Sequence, residues 1–136
     1  MTIVDTGPLV ALLDRRDQHH QACKDAVLRL PGGQLVTTWP CFTEAMYFLD
    51  RVGGYPYKAA LWQLHVSGRL TIHNPSATEV DRMVLLMEKY QDAPMDLADA
   101  SLVALAESRS ARQVFTTDSH FRIYRLPDGS VLDMIP

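Results

Sequence analysis

Thr2-Ile3-Val4-Asp5-Thr6-Gly7-Pro8 is the stretch on which the reading of the whole chain turns. Thr2, Ile3 and Val4 are β-branched, which stiffens the side chain and favours extended backbone. Asp5 or Thr6 suits a helix N-cap, and Pro8 fits a first helical turn, where its missing N–H costs nothing. The segment therefore reads as a short strand running straight into a helix, with a carboxylate at the junction. Similar short apolar segments recur at residues 34–37, 70–72, 114–116 and 131–134, mostly separated by longer stretches of helical period. Each return to a parallel strand needs a crossover of helix length. The expected fold is α/β, a three-layer α/β/α sandwich around a central, mostly parallel five-stranded sheet.

The helices follow from the same pattern. One begins near Pro8 and a second near Gln18, ending at Pro31-Gly32-Gly33. Residues 41–52 follow Pro40, carry Cys41, Ala45, Phe48, Leu49 and Val52 on one stripe, and stop at Gly53-Gly54. Residues 57–66 form a partner helix, and residues 77–90 place Val80, Val84, Leu85 and Met87 in helical register. Residues 96–108 are apolar around nearly the whole circumference, which predicts a buried helix. Met83, Met87 and Tyr90 are expected to pack in the core, with a partner surface as the alternative.

With 136 residues and 47% hydrophobic content, the chain can build one compact core and is too short for two ordinary domains. Residues 1–136 are accordingly read as a single domain. A charged fraction of 21% argues against disorder, and no apolar run approaches the ~20 residues of a membrane helix. No export signal is visible, and Cys23 and Cys41 lack zinc-motif spacing and read as buried free thiols. A cytoplasmic location is expected. The net charge of −3 disfavours binding nucleic acid through a broad basic surface, while leaving room for a local phosphate contact assisted by a cation.

Several carboxylates stand where a carboxylate needs a reason. Asp5 lies at the carboxyl end of the first strand and Asp118 just beyond that of the strand at 114–116, the edge where open parallel sheets bind ligands. Taken singly, helix capping explains either one. Asp99 sits inside Leu97-Ala98-Asp99-Ala100-Ser101-Leu102-Val103, where an unpaired charge would cost several kcal/mol, so it needs a cation or a proton. Asp96, three residues earlier, fits an N-cap at least as well as a ligand. Glu44 flanks the apolar stripe of its helix, and an ion pair with an arginine is its simplest explanation. Were several of these acids to converge within ~5 Å, each pair would repel by about 3 kcal/mol at an effective dielectric of 20. A cation would resolve the conflict, and all-oxygen ligands select Mg²⁺ or Mn²⁺ over zinc. The five histidines form no ligand pattern.

Taken in order, Ile3-Val4-Asp5-Thr6, Thr43-Glu44-Ala45, Asp96-Leu97-Ala98-Asp99-Ala100 and Thr116-Thr117-Asp118 resemble a PIN domain over the whole chain, most closely the single-domain toxins of VapBC toxin–antitoxin pairs. The resemblance implies that Asp5, Glu44, Asp99 and Asp118 are catalytic and hold the metal. Thr116 would orient the site, and Asp96 remains an accessory acid, since Asp99-Ala100 matches the family's Asp-Ala step better. It further implies hydrolysis of RNA to 5′-phosphate and 3′-hydroxyl ends, a homodimer, and a cognate antitoxin able to insert a basic residue among the acids. Arg15, Arg16, Arg122 and Arg125 could contact phosphates or such a partner, although solvated surface arginines are the simpler reading.

Two other classes compete with this reading. An aspartate-nucleophile phosphatase would want an acid two positions after Asp5, where Gly7 stands, and a receiver domain would want a lysine from a late strand end, whereas Lys24, Lys58 and Lys89 all fall on expected helices. The other class is a catalytically silent PIN-like binding module, against which the complete acidic set weighs.

Overall fold

The computed structural model describes residues 1–30 and 35–136. The expected turn at Pro31-Gly32-Gly33, and Gln34 at the start of the second expected strand, lie outside the described residues. The elements run β1 (Thr2–Val4), α1 (Thr6–Leu13), α2 (His20–Arg29), β2 (Leu35–Thr38), α3 (Trp39–Gly53), α4 (Tyr55–Val66), β3 (Leu70–His73), α5 (Ala77–Lys89), α6 (Leu97–Arg109), β4 (Gln113–Phe115), a 3-10 turn (Ser119–Arg122) and β5 (Asp133–Ile135).

The five strands form one sheet in the order β3-β2-β1-β4-β5, and every pairing is parallel. Ile3 of β1 sits between Val36 of β2 and Val114 of β4, so β1 is central. The chain builds outward from β1 through β2 to β3, then crosses back to β4 and β5. The direction of winding thus reverses between β1 and β4, the place where doubly wound sheets open a crevice at their carboxyl edge.

Strand alternation divides the core. Ile3, Val36 and Val114 point to one face, where they pack with Met83 and Leu86 of α5, its C-cap Tyr90 and the apolar residues of α6. Val4, Leu70, Ile72 and Phe115 point to the other, against Leu9, Ala26, Phe42, Leu49 and Leu61 from α1 to α4. The period-2 switch between Ile3 and Val4, and between Val114 and Phe115, is what allows a three-residue strand to feed both layers. Every residue of α6 from Ala98 to Ala106 is buried, as its apolar circumference predicts. Among the described residues, no helix is long and apolar enough to cross a membrane.

Two helices turn differently from their sequence stripes. In α5 the buried face runs through Glu79, Met83 and Leu86 to the C-cap Tyr90, and leaves Val80, Val84 and Leu85 exposed. Glu79 can lie inside because it completes a capping box with Ser76 and accepts from His73 Nε2 at 2.8 Å. In α3, Cys41, Phe42, Ala45 and Leu49 are buried, whereas Phe48 is 47% exposed. This helix begins two residues before the expected boundary because Pro40 is tolerated within the first turn.

Candidate active site

The acids meet at the carboxyl edge because three separate chain reversals put them there. Asp5 follows β1 directly, and its N–H continues the ladder to Phe115 O at 2.9 Å. Its Oδ1 caps α1 by accepting from Thr6 N at 2.8 Å, and its Oδ2 accepts from Thr116 Oγ1 at 2.8 Å. Thr116 Oγ1 in turn accepts from Asp118 N at 3.0 Å. One hydroxyl therefore fixes both the Asp5 carboxylate and the backbone that carries Asp118. The β4 exit also runs close over α1: a Cβ on Gly7 would lie 2.8 Å from Thr117 Oγ1, so a larger residue there would displace the Thr117 side chain.

Asp99 is 5% exposed and enters from the first turn of α6. It forms a capping box with Asp96, whose Oδ1 accepts from Asp99 N at 2.8 Å. Asp99 Oδ2 accepts from the Tyr124 hydroxyl at 2.9 Å. Asp118 caps the 3-10 turn: its Oδ1 accepts from His120 N at 2.9 Å and lies 2.8 Å from His120 Nδ1. One ligand oxygen from each of Asp5, Asp99 and Asp118 lies within 4.8 Å of the others. Glu44 stands beside this triad, where its Oε1 accepts from Thr6 Oγ1 at 3.1 Å. Beneath Asp5, the buried Cys41 thiol lies 3.8 Å from Oδ1 and 3.8 Å from Ala98 O, joining the starts of α3 and α6.

The electrostatics follow from this crowding. Burial and the neighbouring Asp96 push the Asp99 carboxyl up to about 7, against the Tyr124 hydrogen bond. Burial also raises Asp5, with the charges of Asp118 and Asp96 adding to it, and raises Glu44. Burial and the nearby Asp5 raise the Cys41 thiol well above its ordinary range, so this cysteine stays a neutral packing group. An open cavity of about 610 Å³ receives Asp5, Glu44, Asp96, Asp99 and Asp118, together with Asp14 and Asp17 from the far end of α1. Among the described residues, Arg51 is the one basic side chain lining it. An all-carboxylate set of this kind, partly buried and mutually repelling, fits a hard divalent cation.

Residues 2–126 match the family model of the PIN domain. The chain belongs to the PIN domain family. Similar proteins include ribonuclease VapC26 of Mycobacterium tuberculosis, 28% identical over 135 residues that cover 98% of this chain and 99% of that one. Among solved structures, the Mycobacterium tuberculosis sarcin-ricin loop cleaving toxin VapC20 aligns with a TM-score of 0.86 at 17% identity, over 100% of both chains. A toxin–antitoxin complex from Klebsiella pneumoniae aligns with a TM-score of 0.66 at 21% identity, over 88% of each chain. At these identities the solved structures show the shared fold.

Within this PIN domain, the structure brings Asp5, Asp99 and Asp118 together, with Glu44 and Asp96 on the same cavity wall. Thr116 stands where it can orient two of them. Asp5, Asp96 and Asp118 are also helix caps, so capping does not keep an acid from facing the cavity. Glu44 has no ion pair among the described residues; Thr6 takes the place expected for an arginine. Of the arginines singled out in the sequence, Arg16 bonds to Val52 O at 3.3 Å, and none of the four lines the cavity. Sequence reasoning missed Tyr124 and Arg51. It also passed over Asp14 and Asp17, whose place after the end of α1, against the helix dipole, was a usable signal.

Proposed function

We propose that this chain is a divalent-metal-dependent endoribonuclease, the toxin component of a toxin–antitoxin pair, acting in the cytoplasm. The observation that carries the reading is the meeting of Asp5, Asp99 and Asp118 from three separate segments within 4.8 Å at the carboxyl edge of the sheet. Family membership and the similarity to ribonuclease VapC26 support RNA as the substrate. Asp5, Glu44, Asp99 and Asp118 would hold Mg²⁺ or Mn²⁺, with Asp96 as an accessory acid. When bound, the cation supplies an activated water and offsets charge developing on phosphorus.

The protein's own part is orientation. Thr116 and Thr6 N–H hold the two oxygens of Asp5, while Tyr124 and the His120 N–H each hold one oxygen of Asp99 and Asp118. Each carboxylate is thereby fixed in rotation with lone pairs left for a ligand. Hydrolysis adds water to phosphorus and breaks the bond to the 3′-oxygen, leaving 5′-phosphate and 3′-hydroxyl ends. The phosphatase alternative lacks its second acid, since Gly7 stands two positions after Asp5, and the receiver alternative lacks its lysine: Lys58 pairs with Asp50 at 2.9 Å, Lys89 lies over the Tyr90 ring, and neither these nor Lys24 lines the cavity. A silent binding module would have no use for a mutually repelling acid set. The toxin–antitoxin complex among the structural neighbours supports a cognate antitoxin, whose basic side chain could occupy the cation's place, and the family resemblance supports a homodimer.

Incubation of the purified protein with single-stranded RNA and Mn²⁺ should yield 5′-phosphorylated fragments and stop on chelation. RNA left intact under these conditions, or cleavage indifferent to chelator, overturns the reading. Tyr124→Phe removes one hydroxyl without altering the ring packing against Tyr90 and Phe121. It is expected to weaken Mn²⁺ binding about tenfold or more in calorimetric titration. Unchanged affinity would show that Asp99 is positioned by its backbone alone.

A further inference from the structure

The α3 helix carries more than Glu44 into the cavity. Phe48, Arg51 and Val52 line the same wall at four, seven and eight residues beyond it, and so share its face. At about 1.5 Å rise per residue, Phe48 stands ~6 Å and Arg51 ~10 Å along the helix from Glu44. Phe48 is 47% exposed, although its helix offers a buried apolar stripe one residue away at Leu49. Tyr47, 59% exposed, meets Phe48 edge-to-face at 5.7 Å. The Arg51 guanidinium lies 5.7 Å from the Tyr47 ring centroid, and its Nη1 donates to Tyr47 Oη at 3.3 Å.

Three features of this arrangement select an unpaired nucleotide. A flat apolar ring beside a polar cavity offers a stacking surface that any base can use. Arg51, the one cation among the described residues of a cavity lined by seven acids, answers the charge of a phosphate, which those acids repel. Both groups lie one and two helical turns from Glu44, on the wall of the cavity that the acid cluster opens into. Taking the ribonuclease reading as given, we propose that Phe48 is the stacking platform for the base of a nucleotide adjoining the scissile phosphate. Arg51 binds the neighbouring phosphate, and Tyr47 holds the ring and the guanidinium in place. The substrate at this wall is single-stranded RNA, because a base inside a duplex already has both faces stacked on its neighbours.

The test uses a single-stranded oligoribonucleotide cut by the wild-type protein with Mn²⁺, chosen from a random-sequence pool, and the same oligonucleotide made abasic at each position flanking the cut. For wild type, one abasic position should raise KM about tenfold, the order of one lost base stack. Phe48→Leu should raise KM by a similar factor on the intact oligonucleotide and show no further rise on the abasic one, while Phe48→Trp restores both values. Arg51→Gln should raise KM and flatten its dependence on salt. If abasic substitution costs nothing, or costs the same in Phe48→Leu as in wild type, the platform is overturned and the nuclease reading stands. Unchanged RNA kinetics in Phe48→Leu would assign this wall to a protein partner and also overturn it. A pool in which nothing is cut sinks the nuclease reading, and the platform with it.

Discussion

Asp99→Asn should lose RNA cleavage by a factor on the order of a thousand, and in the absence of metal should be more stable than the parent. The two effects share one cause. Asp99 is almost fully buried, and Asp96, Asp5 and Asp118 crowd it with like charge. Asparagine keeps the shape and still accepts the Tyr124 hydrogen bond, but removes a negative charge that burial disfavours. Cleavage falls because the cation loses its most enclosed ligand. With saturating Mn²⁺ the order of stability should reverse, since the ligand then stabilises the parent by mass action. Thermal melts of both proteins with and without metal, beside a cleavage assay, check this. A metal-free variant less stable than the parent would show that Asp99 serves the fold through its charge.

The second large effect is on pH. The carboxyls of Asp99 and Asp5 are raised in the folded chain by burial and by their acidic neighbours, Asp99 to about 7. Between the ordinary carboxylate range near 4 and that value, the folded state binds more protons than the unfolded state. Stability therefore falls as pH rises through this window. The contribution is fully present below about pH 4 and gone above about 7, and for Asp99 it amounts to roughly 2–4 kcal/mol. The metal-free protein should thus melt roughly 10 °C lower at pH 8 than at pH 5. Mn²⁺ should raise the melting temperature most at the higher pH, where the acids are ionised and ready to bind it. A metal-free melting temperature that climbs from pH 5 to pH 8 would contradict the crowded-acid account.

The parts of this molecule that could be read from its sequence are those where local chemistry and long-range placement agree. The junction at Asp5 is both a strand end and a helix cap, so its position at the sheet edge follows from a few residues. Asp99 was legible because a charge amid the apolar residues of α6 needs more than its neighbours along the helix can offer. Tyr124 was not, since its role depends on a chain crossing that brings residue 124 against residue 99. Phe48 was placed in the core because a helical stripe tells which residues share a face, without telling how wide that face is. The burial of Phe42 in its stead shifts the inner face of α3 and turns Phe48 to the cavity. Glu44 shows a similar limit. Family resemblance named it, and the structure places it against Thr6, beside the three closest acids.

The most direct test of the central claim is the anomalous difference density of a crystal soaked in Mn²⁺. The account predicts a peak at coordination distance from carboxylate oxygens of Asp5, Asp99 and Asp118, absent from the Asp99→Asn protein. No peak at saturating Mn²⁺, or a peak elsewhere in a protein that still cleaves RNA, would contradict it.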